Sequence, residues 1–189
     1  MRRYRVTSAV FALLVVLGAC TDDPAASNDT ATSNDTVAAS TTSAPIPSAG
    51  ELPLIDQIGP AIAALESQLR GPQAYFEINA TARLVNLFVS LNNGAVAQPW
   101  LYLDGKLTST AGQAASGGTF VASAVDFDPD VILSTILTEL PGVSIESFYI
   151  HGDGQGNVLY GVLATSVKGG GLDVVLGADG SVKSVDPVT

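Results

Sequence analysis

The chain has 189 residues, of which 47% are hydrophobic and 14% charged, with 8 basic and 18 acidic side chains. This length allows one domain of ordinary size or two small ones. The formal net charge of −10 argues against a nucleic-acid-binding protein, because neutralising phosphates requires many Lys and Arg side chains. A single Cys and a single His exclude a disulfide framework and a zinc site built from several such ligands. We therefore expect no nucleic-acid partner, no metal and no cofactor.

The first 19 residues are typical of a secretory signal peptide. Arg2, Arg3 and Arg5 precede an uncharged stretch over 6–19, which is shorter than the roughly 20 residues of a membrane span. This stretch runs into the sequence LGAC, which resembles the bacterial lipobox. The resemblance implies cleavage before Cys20 and attachment of acyl chains, palmitate among them, to that residue. We therefore expect a lipoprotein held by a lipid anchor on the extracytoplasmic side of the cell membrane.

The segment that follows the lipobox, 20–50, differs in composition from the rest of the chain. It is rich in Ser, Thr, Ala and Asp and contains no aromatic residue, Lys or Arg. Such a segment cannot bury enough apolar surface to offset the entropy of ordering, so we expect a disordered tether. From residue 51 to residue 189 the chain is dense in aliphatic side chains, which predicts a globular domain.

Two amphipathic helices are expected in this domain. In the first, apolar residues recur at spacings of three and four up to a Gly-Pro pair at 71–72; they are Ile55, Ile58, Ile62, Leu65 and Leu69. The second begins at 128–130, where Asp-Pro-Asp supplies a cap, a proline at the first helical position and an acid in the first turn. Its expected buried residues are Leu133, Ile136, Leu137 and Leu140.

Strand-like segments follow each predicted helix. They are 75–80, 83–91, 100–109, 119–127, 144–151, 157–166 and 172–185, with Asp-Gly turn signals at 104–105 and 179–180. The halves 51–127 and 128–189 match in pattern at offsets of 71 to 75 residues, as Ile78 and Ile150 do at 72. We therefore predict an α+β fold, in which two α-βββ(β) repeats form an antiparallel sheet with the helices packed on one face.

This arrangement resembles three families of secreted bacterial proteins. The sequences FDPDVILSTILTEL and LDVVLGADGSVKSVD in the second half resemble PepSY-like and beta-lactamase-inhibitor-like modules. The sequences WLYLDGKL and FDPDVILSTIL also resemble LolA/LprG-type carriers, which implies a lipid ligand. None of these resemblances rests on a catalytic signature.

Residues with catalytic or metal-binding potential are sparse. His151 precedes a glycine-rich loop and could act as a general base oriented by Asp153, but no Gly-x-Ser-x-Gly elbow accompanies it, which favours a surface histidine. Asp126, Asp128 and Asp130 alternate as in a calcium loop, yet a valine stands where that loop needs glycine. A carboxylate dyad such as Glu77 with Glu146 is expected by chance among so many acids. We expect no catalytic residue and no enzyme.

One face of the predicted sheet has the composition of a binding surface. If Phe76, Ile78, Phe148 and Ile150 face the helices, alternation turns their neighbours to the opposite side; these neighbours are Tyr75, Glu77, Asn79, Tyr149 and His151. Trp100 and Tyr102 share one face of their strand and belong either to this surface or to the core.

A sheet face that mixes Tyr, Trp, Glu and His is typical of protein-binding surfaces. We therefore expect a non-enzymatic module that binds a protein or peptide. The alternative is a lipid or apolar-ligand carrier of the LolA/LprG type, with a cavity between the helices and the sheet.

Overall fold

The computed structural model describes residues 51–188, which contain two α-helices and ten β-strands. The helices are α1 (Ile58–Leu69) and α2 (Pro129–Glu139). The strands are β1 (Ala74–Thr81), β2 (Val85–Leu91), β3 (Val96–Leu103), β4 (Lys106–Ser109), β5 (Gln113–Ala114), β6 (Phe120–Val121), β7 (Val143–Gly152), β8 (Val158–Ser166), β9 (Gly171–Leu176) and β10 (Val182–Val188). The expected signal peptide, Cys20 and the tether lie outside the described residues.

All ten strands belong to one antiparallel sheet. Its order is β10-β9-β8-β7-β1-β2-β3-β4, with β5 paired to β3 and β6 paired to β1. The helix α1 precedes the strands β1 to β4, α2 precedes β7 to β10, and β1 pairs with β7 in the middle of the sheet. The predicted α+β class is confirmed. Between residues 51 and 188, no helix has the length and apolar character needed to cross a membrane.

Local signals set the ends of both helices. Oδ1 of Asp128 accepts hydrogen bonds from the amides of Asp130 (2.9 Å) and Val131 (3.3 Å), and proline occupies the start of α2, so the predicted cap is confirmed. The helix α1 ends at Leu69, the capping residue Arg70 has a left-handed φ of 61°, and the Gly71 amide then donates to the Glu66 carbonyl at 2.9 Å. This closing turn directs the chain into β1.

A single hydrophobic core lies between the helices and one face of the sheet. Its fully buried members include Leu65 of α1, Ile136 of α2, Ile78 of β1 and Phe148 of β7. Burying one such side chain contributes about 1.5–3 kcal/mol. The predicted stripe of α2 is wrong at Leu137, which is 48% exposed, because its position lies roughly 120° around the helix from the buried pair Ile132 and Ile136.

The predicted strand over 119–127 is also wrong beyond its first residues. Only Phe120 and Val121 pair with β1, and a 3-10 turn follows at Ala122–Ala124. Because β6 runs antiparallel to β1 and Val121 lies opposite Ala74, the next residues pass beyond the start of β1. An alternating pattern without a neighbouring strand cannot continue the sheet.

A β-bulge in β1 corrects the predicted orientation of two aromatic residues. The register with β2 shifts between Tyr75 and Glu77, so Tyr75 turns toward the core and is fully buried, whereas Phe76 is only half-buried. The Tyr75 hydroxyl donates to Oε1 of Glu66 at 3.2 Å. The prediction that Tyr75 faces away from the helices and Phe76 toward them is therefore wrong, because a bulge inserts one residue into the alternation.

Trp100 and Tyr102 belong to the core, which is one of the two placements that the sequence left open. Trp100 is 7% exposed and lies opposite Leu87 in the core, and Tyr102 packs against the same cluster. Neither residue belongs to the uncovered side of the sheet.

Candidate binding face

The sheet face turned away from the helices, here named the open face, carries four of the residues singled out by the sequence. Glu77 lies directly opposite His151, and Asn79 lies directly opposite Tyr149, on the central strands β1 and β7. All four alternate with core residues such as Ile78 and therefore point away from the helices.

A chain of polar contacts crosses three strands at the centre of the open face. Nδ2 of Asn86 donates to Oδ1 of Asn79 at 2.7 Å, and Nδ2 of Asn79 donates to Oε1 of Glu77 at 2.8 Å. Oε2 of Glu77 lies 3.6 Å from Nε2 of His151. The Glu77 carboxylate is thus held between an amide from its own strand and an imidazole from β7, which fixes its position on the surface.

Tyr149 lies flat across β8 rather than extending into solvent. Its ring covers Gly161, the residue opposite it in β8, and a Cβ at that position would collide with the ring. Its hydroxyl donates to Oδ1 of Asp173 in β9 at 2.5 Å. The His151 ring meets the Tyr149 ring edge to face, with centroids 4.7 Å apart. The glycine within this strand has no side chain and therefore allows the aromatic ring to lie against the backbone.

The surroundings of Tyr149 are strongly anionic. Burial raises the pKa of the Tyr149 hydroxyl above its ordinary value near 10, and the hydrogen bond to Asp173 and the negative charges of Asp173, Glu77 and Asp186 raise it further. The hydroxyl therefore remains a neutral donor at physiological pH, and three carboxylates act on the same ring.

Negative charge on the open face is largely uncompensated. Asp173 of β9 lies directly opposite Asp186 of β10, an arrangement that is destabilising for like charges. Within residues 51–188, the pair of His151 and Glu77 is the only contact between a basic and an acidic side chain within 4.0 Å. The carboxylates of Asp173 and Asp186 have no such partner in the described part of the chain.

Exposed aliphatic side chains flank the Tyr149 ring. Leu159 and Leu163 lie two residues before and two residues after Gly161 on β8, with 49% and 39% of their surfaces exposed. Leu159 is opposite His151, and Leu163 is opposite Asp173. The second half of the open face thus presents an apolar strip along β8 with carboxylates beside it.

The remaining candidates of the sequence have structural roles. Asp153 accepts hydrogen bonds from Nδ2 of Asn157 (2.9 Å) and from the backbone amides of Gln155 (2.7 Å) and Asn157 (3.0 Å), which lower the pKa of its carboxyl and hold the turn between β7 and β8. Glu146 accepts a hydrogen bond from the Thr165 hydroxyl. Among residues 51–188, no group of three or more His, Cys, Asp and Glu side chains is arranged to hold a metal ion.

Sequence reasoning missed the residues of β2, β8, β9 and β10 that complete the open face. Asn86, Gly161 and Asp173 come from segments recognised as strands but not assigned to a face. Asp186 lies one residue beyond the predicted strand 172–185, in the part of β10 that was not expected. Only Gly161 carries a usable signal, because an isolated glycine within a strand pattern indicates a close approach.

Comparisons with known proteins give little beyond this geometry. No protein-family model and no curated protein matches the sequence. One solved structure that is similar is that of a candidate lipoprotein from Clostridium difficile 630, with a TM-score of 0.45 and 11% identity, covering 73% of this chain and 94% of that one. The resemblances to PepSY-like, beta-lactamase-inhibitor-like and LolA/LprG-type proteins stay predictions.

Proposed function

We propose that this chain is a membrane-anchored extracytoplasmic lipoprotein whose domain binds a protein or peptide without catalysing a reaction. The observation that carries the proposal is the open face, where a fixed polar network and exposed apolar side chains lie together. The anchor would be the lipid on Cys20 that the LGAC sequence implies.

The composition of the open face supports binding to a macromolecule. Tyr149 supplies a large ring held in place by Asp173, while Leu159 and Leu163 offer exposed apolar surface beside it. Interfaces combine aromatic and aliphatic contact area with oriented polar groups, and a ring that is already immobilised loses little entropy on binding.

The exposure of His151 supports a non-catalytic role. Its side chain is 46% exposed on the outer surface of a sheet, beside the partly exposed Glu77. Ligand and catalytic sites are usually concave and bury most of a small substrate. A large partner is therefore a better match to this surface than a small reactant.

We also propose that the domain is built from two equivalent helix-and-meander units. Ile78 and Ile150, matched in the sequence at an offset of 72, lie opposite each other where β1 meets β7. The neighbouring pairs, Glu77 with His151 and Asn79 with Tyr149, are exchanged by the same offset. This is the relation expected if a local two-fold axis passes through the isoleucine pair.

The carrier alternative has weaker support. A carrier needs space between its helices and its sheet, but Leu65 and Ile136 pack there with no exposed surface. The depression at the start of α2 opens to solvent and has Asp128 and Asp179 in its lining, a poor match to an acyl chain.

Site-specific photo-crosslinking in the membrane tests the binding proposal. A photoreactive amino acid replaces Leu159 on the open face or Asp56 on the helix side in the full-length lipoprotein. We expect discrete protein adducts from position 159 that disappear in a Tyr149→Ala, Glu77→Lys background, and no equivalent adducts from position 56. Identical adducts from both positions, or adducts unaffected by the two substitutions, would refute a binding role for the open face.

A further inference from the structure

The charges of the open face indicate what kind of partner it accepts. Three carboxylates lie close enough to interact electrostatically with the Tyr149 hydroxyl, those of Glu77, Asp173 and Asp186. The apolar strip of Leu159 and Leu163 lies beside them. A partner that covers this surface must desolvate several carboxylates, which is unfavourable unless it brings positive charge. Complementarity therefore requires a cationic partner surface with apolar side chains next to its charges.

Other occupants carry the wrong charge. The chain's own segment 21–50 contains four Asp and no Lys or Arg, so it would be repelled. A second copy would bring the same carboxylates against Asp173 and Asp186. An anionic lipid surface would be repelled for the same reason.

We propose that the open face docks a basic polypeptide segment, with an Arg or Lys side chain lying against the Tyr149 ring between Glu77 and Asp173. This inference rests on the proposed function and adds the chemistry of the partner. A cation over an aromatic ring is attracted by the ring's electrons as well as by neighbouring carboxylates. Any apolar residue of the segment that points to the same side as the basic ones would contact Leu159 and Leu163.

The geometry of the surface suits an arginine in particular. The Asp173 carboxylate donates no hydrogen bond and already accepts one from the Tyr149 hydroxyl at 2.5 Å, which leaves its second oxygen for a guanidinium N–H. Asp186, on the neighbouring strand, presents a further carboxylate directly opposite. A guanidinium placed there also relieves the repulsion between the two aspartates.

The test uses the mature chain with Cys20→Ser, three defined peptides and amide NMR spectra. The peptides are acetylated, amidated decapeptides of alternating Arg and Ser, Gln and Ser, or Glu and Ser. We expect the Arg peptide alone to shift the amide signals of Tyr149, His151 and Gly161, with an affinity that falls as salt is raised. The Asp173→Asn, Glu77→Gln variant should bind about fivefold more weakly, from two exposed ion pairs.

A matched control separates this effect from net charge. The variant Glu51→Gln, Asp56→Asn also removes two carboxylates, both from exposed positions before α1, and should leave the affinity within about twofold of the parent. Unfolding midpoints of all variants verify that the domain remains folded. Equal weakening by this control and by the two substitutions on the open face would overturn the docking site.

The remaining outcomes distinguish the two proposals. If the Gln peptide shifts the same signals as strongly as the Arg peptide, the open face binds peptides but the basic partner is refuted. If no peptide shifts them and position 159 gives no crosslinked adduct, both proposals fail. Identical shifts with 5 mM Ca²⁺ alone, or binding to phosphatidylglycerol vesicles, would refute a polypeptide cation as the occupant.

Discussion

Replacing Gly161 by alanine should displace Tyr149 and destabilise the domain. The φ of Gly161 is not among the positive values of the described residues, so alanine can adopt the same backbone conformation. The added Cβ would collide with Cζ, the hydroxyl oxygen and Cε2 of Tyr149. Any cost of the substitution therefore comes from one side chain, which makes the reasoning open to a direct check.

The expected magnitude follows from three contributions. Moving the ring breaks its hydrogen bond to Asp173, worth about 0.5–1.5 kcal/mol, and the crowded packing costs about 1–3 kcal/mol. Alanine in place of glycine recovers about 0.5–1 kcal/mol of backbone entropy in a strand. Because Tyr149 is only half-buried and can rotate toward solvent, we expect a net loss of about 1–2 kcal/mol in the free energy of unfolding.

Urea unfolding of four chains isolates the collision: the parent, Gly161→Ala, Tyr149→Ala and the double variant. Without the tyrosine ring, Gly161→Ala should stabilise the domain by about 0.5–1 kcal/mol, so the two sites should be coupled by about 2 kcal/mol. The control is Gly59→Ala in α1, where a Cβ meets nothing within 4 Å. Its effect should be the same with and without Tyr149. A coupling below about 0.5 kcal/mol between positions 161 and 149 would refute the reasoning.

Three further predictions address the helix cap, the tyrosines and the anchor. Asp128→Ala should reduce the free energy of unfolding by about 1 kcal/mol, whereas Asp128→Asn, which can still cap α2, should change it by a few tenths at most; urea titrations decide between them. Tyr75 and Tyr149 have raised pKa values in the folded state. Their neutral hydroxyls therefore contribute fully to the free energy of unfolding below about pH 10, and this contribution is lost as the pH rises further. Unfolding at pH 9 and pH 11 should show this loss, and a slope unchanged by Tyr149→Phe would contradict it. Cys20→Ser should move the protein from the membrane fraction to the soluble fraction, and native mass spectrometry of this form should show the bare chain; a lipid-sized adduct lost on denaturation would favour the carrier alternative.

The helices were predictable because their signals are local. The Asp-Pro-Asp start of α2 contains its own cap, and the apolar spacing of α1 identifies the residues that contact the sheet. Such features depend on residues within one or two turns, so they do not require knowledge of the rest of the fold. The exposure of Leu137 was not predicted, because the apolar spacing in α2 fits two adjacent lines of side chains along the helix.

The failures in the sheet have a non-local origin. Tyr75 faces the core because of a bulge whose position depends on how β1 pairs with β2, and nothing in the segment 75–80 alone indicates it. Residues after Val121 lack a partner because β1 begins at Ala74. Strand registers and strand ends depend on two paired segments. The pattern within one segment does not show which other segment pairs with it or in which register.

The open face was predictable only in its centre. Glu77, Asn79, Tyr149 and His151 were assigned to one surface because they alternate with residues that were expected to face the helices. That Glu77 meets His151 required the register of these strands. The contributions of outer strands could not be anticipated, because their faces depend on where each hairpin turns.

Asp186 offers the sharpest separation between stability and binding on this surface. Asp186→Lys would place a cation directly opposite Asp173, which replaces a repulsive cross-strand pair by an attractive one and should raise the free energy of unfolding by about 0.5–1 kcal/mol. The same substitution should lower the affinity of the domain for the Arg peptide, because the lysine occupies the position that the partner's cation would take. Asp186→Asn, which removes the repulsion without supplying a cation, should give intermediate values of both quantities. A surface with a purely structural role would gain stability with no change in peptide affinity. Stability that rises while affinity falls would mean that the repulsion between these aspartates is retained for binding, as is common where function and stability compete.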